Sequence, residues 1–229
     1  MNQVLQNTLS RAPSTAAERN RVLRNTYWLL ALSMVPTALG AWVGVSTGIA
    51  RAMTPGMALL VFLAGAWGLM FAIEKTKDSA AGVFVLLGFT FFMGLMLSRL
   101  LSVVLGLANG ASLVMFAFAG TGITFFAMAT LSTVIKRDLS SLGKWLVAGA
   151  VVVFVGFLAN FFLQSGPLML ALIVISMAVF TAFILYDLKR VRDGEETNYI
   201  TATLGVYLSL YNVFQSLLAL LSIFGGQRN

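Results

Sequence analysis

The 229-residue sequence contains no cysteine and no histidine. The first absence removes disulfides and thiolate chemistry. The second removes imidazole catalysis, and together they exclude nearly every zinc or haem site. Charge is scarce as well: 10% of the residues are charged, where soluble domains carry about a quarter. Carboxylates are the only side chains left that titrate near neutral pH.

What fills the chain instead is apolar, with 59% hydrophobic residues and a mean hydropathy of +0.91. A water-soluble fold cannot hide that much apolar surface. The apolar residues gather into runs at 27–45, 57–73, 80–97, 113–135, 145–163, 168–186 and 200–224. Each run is about long enough to cross roughly 30 Å of hydrocarbon at about 1.5 Å per residue, and a helix is the only open-ended form such a run can take there. The expectation is an all-α integral membrane protein with seven transmembrane helices in one domain, 27–226. Residues 1–26, with Arg11, Pro13, Glu18, Arg19, Arg21 and Arg24, are too poor in apolar residues to fold alone and predict a mobile cytoplasmic tail. No short apolar stretch with a cleavage site follows its basic residues, so a retained segment is expected.

The net charge of +7 and the sequence pI of about 10.2 do not point to nucleic acid, because the basic residues lie in short clusters between the runs. Twelve of the fifteen fall on one side of the expected membrane: Arg11, Arg19, Arg21 and Arg24, then Lys75 and Lys77, then Lys136, Arg137 and Lys144, then Lys189, Arg190 and Arg192. Arg51, Arg99 and Arg228 fall on the other. The asymmetry predicts a cytoplasmic N-terminus and a C-terminus on the opposite, periplasmic side. Pro36 inside the first run predicts a kink, and Gly166-Pro167 a tight turn between the fifth and sixth.

The last run carries Ala202, Gly205, Ser209, Asn212, Ser216 and Ala219 at alternating steps of three and four. These form one small, partly polar stripe; lipid would not accommodate Asn212 and Gln215, so the helix is expected inside the bundle, its small residues letting neighbouring backbones approach closely. Helix packing and a polar core or pore lining are both compatible with that pattern. Asp187 closes the sixth run, and a carboxylate near the membrane is a functional candidate by default. Either Arg190, three residues on, pairs with it, or it is partly desolvated and its protonation acts on helix packing or a cation path. Arg99, late in the third run, is expected to snorkel to headgroups. Glu74, Lys75, Lys77 and Asp78, and Asp193, Glu195 and Glu196, are expected as solvated loop charges.

Catalysis finds no complete set of parts. Intramembrane aspartyl proteases need a second aspartate in a Gly-x-Gly-Asp setting, serine and zinc types need histidine, and no phosphate-binding loop occurs. An enzyme is not expected, nor is a cofactor.

The stretch Leu185-Tyr186-Asp187, followed by Gly194-Glu195-Glu196-Thr197-Asn198-Tyr199-Ile200 and then Tyr207-Leu208-Ser209-Leu210-Tyr211-Asn212-Val213-Phe214, resembles the signature of the Bax-inhibitor-1 family. Lys136-Arg137-Asp138-Leu139-Ser140 with Leu142-Gly143 is similar to that family's loop after the fourth helix, and within the family the C-terminal motifs most resemble the bacterial YccA type. The resemblance implies seven helices with the last surrounded by the other six. It also implies a pH-sensitive calcium leak gated by two aspartates, one matching Asp187, which would face calcium ions or protons. The second position falls at Ser209, which cannot ionise, so the like-charge coupling of such a pair is missing. The YccA type further implies an inner-membrane modulator of the membrane-anchored ATP-dependent protease FtsH, engaged through its N-terminal tail.

Overall fold

The computed structural model describes residues 16–226. Seven helices are long and apolar enough to cross a membrane: α1 (Ala16–Thr47), α2 (Pro55–Thr76), α3 (Ala80–Val104), α4 (Gly110–Val134), α5 (Ser140–Leu163), α6 (Gly166–Asp193) and α7 (Tyr199–Gly225). A single helical turn, Ile49–Ala52, links α1 to α2, and no strand occurs among the described residues. The chain is a seven-helix membrane protein. Because successive helices run in opposite directions, the clusters around Lys75, Lys136 and Lys189 gather with the start of α1 at one end, called the basic end below.

Helix limits depart from the apolar runs where they leave the apolar zone. α1 begins at Ala16, eleven residues before the first apolar run, so residues 16–26 of the expected tail are helical. The sequence there, Ala-Ala-Glu-Arg-Asn-Arg-Val-Leu-Arg-Asn-Thr, holds no glycine or proline, carries Glu18 in the first turn, and continues a helix already nucleated by the span. Residues 1–15 of that tail and 227–229 lie outside the described residues. α1 runs through Pro36 without a break. The turn between α5 and α6 is made by Gln164 at φ 50° and by Ser165, not by Gly166-Pro167. Those two residues instead form the first turn of α6, where proline's missing N–H costs nothing and the Ser165 hydroxyl accepts from Leu168 N.

α7 is the axis of the bundle, with no residue of 199–222 exposed. It packs against α1, α3, α4 and α6 and touches α2, while α5 lies on α6, away from α7. The ring around α7 is therefore less complete than six helices, a correction to the surrounded-by-six expectation. The chain divides into two triplets of matching pattern. α1 and α4 both reach α7, α3 and α6 bridge to them, and α2 and α5 sit outside on α3 and α6 respectively. Within the first triplet the backbones of α1 and α3 touch. A Cβ on Gly94 would strike the Thr37 carbonyl oxygen, and one on Gly40 would strike that of Phe91, so only glycine permits this crossing.

The end opposite the basic end is tied by two arginines. Arg51 donates to the Ser102 carbonyl, and Arg99 Nη1 lies 3.4 Å from the Met53 carbonyl. Arg99 thus reaches a protein carbonyl in the α1–α2 connection at the membrane edge, as the length of its side chain permits.

Candidate functional site

The structure sets one sequence candidate, Asp187 on α6, against another, Gly205 on α7. α6 continues six residues past Asp187, because Gly194 at φ 85° closes it in the left-handed conformation and donates to the carbonyls of Arg190 and Val191. Asn198 then starts α7, its side-chain oxygen accepting from the amides of Ile200 (2.9 Å) and Thr201 (3.2 Å). The same side chain donates to the Lys77 carbonyl at 3.0 Å and to Asp78 Oδ1 at 2.9 Å, so one residue fixes the start of the central helix and the α2–α3 loop together.

Above this junction the Asp187 carboxylate rests on the backbone of α7 at Gly205. A Cβ at Gly205 would stand 3.0 Å from Asp187 Oδ2 and 3.3 Å from its Cγ, so any larger residue there displaces the carboxylate. Ser209 lies one turn further along α7 and donates to the Gly205 carbonyl at 3.0 Å. Asn212 donates to Leu208 O at 2.8 Å. Both side chains thus hydrogen-bond within their own helix, and neither is hydrogen-bonded to Asp187. Among the described residues, Asp187 has no hydrogen-bond partner and no ion-pair partner within 4.0 Å.

Arg190 forms no ion pair with Asp187 within 4.0 Å. Its guanidinium lies 5.5 Å from the Tyr186 ring centre and 3.8 and 3.9 Å from the carboxylates of Glu195 and Glu196. The pairing expected between Asp187 and Arg190 does not form, because the chain reversal at Gly194 brings two glutamates back alongside the arginine. Other loop charges are engaged too. Lys189, only 5% exposed, donates to Asp193 at 2.5 Å, Arg192 lies 3.6 Å from Asp193, and Lys77 pairs with Glu74 at 2.5 Å. Glu196 Oε1 accepts from Asn198 N at 2.9 Å. A cleft of about 270 Å³ beneath this cluster is lined by Glu18, Arg19, Arg21, Val22, Gly194, Glu196 and Thr197, joining the start of α1 to the α6–α7 loop.

Of the remaining stripe residues, Ala202, Ser209 and Ser216 are buried, and Gly205, Asn212 and Ala219 are half-buried. Among the described residues Thr201 Oγ1 is the one buried side-chain polar atom without a partner. It lies one turn from Gly205 toward the basic end.

A second polar seam on α7 faces α1 and α3. Thr203 lies 3.4 Å from Thr26 O, Tyr207 Oη is 2.9 Å from Thr37 Oγ1 and 3.4 Å from Thr90 O, Tyr211 donates to Met93 O at 3.1 Å, and Gln215 donates to Tyr211 Oη at 3.3 Å. The signal for it is the four-residue spacing of Thr203, Tyr207, Tyr211 and Gln215, which hydropathy hides because the rings carry most of the apolar area. No group of three or more His, Cys, Asp or Glu residues able to hold a metal ion occurs among the described residues.

Comparison with known proteins gives a consistent result. The chain is 38% identical over 202 residues, covering 88% of this chain and 90% of the relative, to the modulator of FtsH protease YccA of Escherichia coli (strain K12). The same identity and coverage hold for the inner membrane protein YccA of Escherichia coli O6:H1. It is 36% identical over 224 residues, 98% of this chain and 99% of the relative, to an uncharacterized protein of Pseudomonas aeruginosa. The family model described as inhibitor of apoptosis-promoting Bax1 matches residues 19–229, and the chain belongs to that Bax-inhibitor-1 family.

Proposed function

We propose that this chain is a bacterial inner-membrane protein that binds and modulates a membrane-anchored ATP-dependent protease of the FtsH kind, with its N-terminus in the cytoplasm as the segment the protease engages. The observation that carries the reading is the 38% identity over 88% of the chain to a modulator of FtsH protease. Physical reasoning supports it. An unfoldase grips a chain end and pulls, and a bundle whose last helix is its axis resists extraction and occupies the enzyme. The twelve basic residues on one side of the spans support an N-terminus in the cytoplasm. The chain acts by binding, and no catalytic step is assigned to it.

The test removes residues 1–15, which leaves α1 whole, and follows lifetime by pulse-chase in cells that contain the protease and in cells that lack it. The shortened chain outlives the full one only where the protease is present. Equal lifetimes overturn engagement through that segment.

A second reading, a cation leak around Asp187, draws on the carboxylate set against α7 without an ion-pair partner among the described residues. Calcium flux into liposomes holding the purified protein, compared between the parent chain and Asp187→Asn at two pH values, tests it. Flux that is absent, or indifferent to the substitution, removes it.

A further inference from the structure

We propose that the groove along the start of α1 is a binding site for an anionic phospholipid. The groove is shallow and open, with a volume of about 500 Å³, and is lined by Asn20, Leu23, Arg24, Tyr27, Trp28 and Ala31, whose steps of three and one place them on one helical face. Its lining is graded. Asn20, Leu23 and Arg24 sit toward the basic end, and Tyr27, Trp28 and Ala31 continue to about 10 Å beyond Arg24 toward the apolar centre. That order, polar and cationic and then apolar, is the order of a lipid headgroup and its acyl chain.

Charge selects the class of headgroup. Among the described residues no carboxylate lines this groove, and Arg24 is exposed without an ion-pair partner. The neighbouring cleft mixes Glu18 and Glu196 with Arg19 and Arg21 and offers a phosphate no such preference. A guanidinium presents a fork of donors that matches a phosphodiester. A headgroup with its own ammonium would bring like charge to Arg24, whereas a glycerol headgroup brings none. The aromatics suit the depth. Trp28 is 73% exposed, as a ring at the headgroup boundary is. Tyr27 is held edge-on against Phe125 of α4 at 6.1 Å, so the wall facing the acyl chain is braced by a second helix. One interfacial arginine carries about a fivefold preference for anionic lipid.

The experiment is a quenching measurement in bilayers on the full chain with Trp42, Trp67 and Trp145 changed to phenylalanine, leaving Trp28 as the reporter. Phosphatidylglycerol with brominated acyl chains quenches Trp28 several-fold more than brominated phosphatidylcholine at equal mole fraction. Arg24→Gln abolishes the difference, and Arg137→Gln, at the same end on another loop, leaves it. Equal quenching by the two lipids overturns the proposal, as does selectivity that survives Arg24→Gln. Selectivity that appears only after removal of residues 1–15 also overturns it, because the groove's occupant is then the chain's own N-terminal segment. Should the phenylalanine background fail to fold, native mass spectrometry of the otherwise unaltered chain decides. One retained phosphatidylglycerol is lost in Arg24→Gln, and an unchanged lipid count refutes the site. No protease is present in either measurement, so the outcome stands apart from the proposed function.

Discussion

Tyr207 offers the sharpest separation of two forces that hold α7 at the centre. Its ring is 1% exposed and sits 6.1 Å from Phe89, while its hydroxyl lies 2.9 Å from Thr37 Oγ1 and 3.4 Å from Thr90 O. Tyr207→Phe removes only the hydroxyl. Thr37 Oγ1 retains its bond to Ser33 O at 2.8 Å, so no buried donor is orphaned, and an interhelical hydrogen bond in a membrane protein contributes about 0.6 kcal/mol, with a ceiling near 1.7. Tyr207→Ala removes the ring as well. The reference state is a helix in lipid, so the water-transfer contribution falls away and the cavity dominates: roughly 100 Å³ at about 24 cal/mol per Å³ gives about 2.4 kcal/mol. The expected order is a loss below ~1 kcal/mol for phenylalanine and about 3 for alanine, read from unfolding in mixed detergent micelles of increasing denaturing strength. A phenylalanine variant as unstable as the alanine variant refutes the reasoning and makes the polar seam, not packing, the dominant force.

Three further outcomes follow from the structure. Because the sequence has no cysteine, single cysteines report topology directly. Ser141→Cys, exposed at the basic end, resists a membrane-impermeant maleimide in spheroplasts while Ala108→Cys reacts, and the reverse pattern inverts the proposed orientation. Gly205→Ala brings a methyl group to 3.0 Å from Asp187 Oδ2, so any Asp187-dependent flux changes with this substitution, whereas Ser141→Ala, exposed at the basic end on α5, leaves it; identical flux in both variants denies that Gly205 positions the carboxylate. The third concerns Asp138, whose carboxyl is held below its ordinary value of 3.8 by the Ser140 amide at 2.7 Å and then by the Ser140 hydroxyl at 3.0 Å. A depressed carboxylate pKa contributes stability that is present above about pH 4 and is lost as pH falls through the folded-state value. Acid therefore loosens the start of α5 in the parent chain, and Asp138→Asn flattens the low-pH arm of a thermal-unfolding series. An arm unchanged by that substitution removes Asp138 from the account.

The seven spans are legible in the sequence because lipid leaves a helix no choice but a continuous apolar run. The central place of α7 is legible because Ala202, Gly205, Ser209, Asn212, Ser216 and Ala219 keep helical spacing on one face. Beyond the lipid that rule lapses. The start of α1 at Ala16 and the end of α6 at Asp193 are set by helix-forming residues and by Gly194 in the left-handed conformation, to which hydropathy is blind. The site shows the same division. Asp187 and Gly205 each stand out along the chain, but that the carboxylate rests on that glycine is a fact of packing between two helices. Spacing along one helix favours Arg190 for Asp187. The turn at Gly194 delivers Glu195 and Glu196 to it instead, and no rule confined to one helix contains that turn.

The packing also bears on how a bundle of this kind would meet a pulling enzyme. Force applied at the N-terminus loads α1 first, and α1 is joined to α3 through glycines that bring the two backbones together and to α7 through the Thr37–Tyr207 contact. A third contact, Thr203 to Thr26 O at 3.4 Å, lies nearer the basic end, but these two joints lie deeper. Gly40 and Gly94 are about 36 Å along α1 and 21 Å along α3 from their starts at Ala16 and Ala80, so unwinding the first turns of α1 leaves both joints intact. Resistance to a pull from the N-terminus is thus expected to reside mainly in the middle of the membrane, at contacts made to the central helix. If a protease engages residues 1–15, as proposed, grip and resistance are set by separate parts of the chain and can be altered independently.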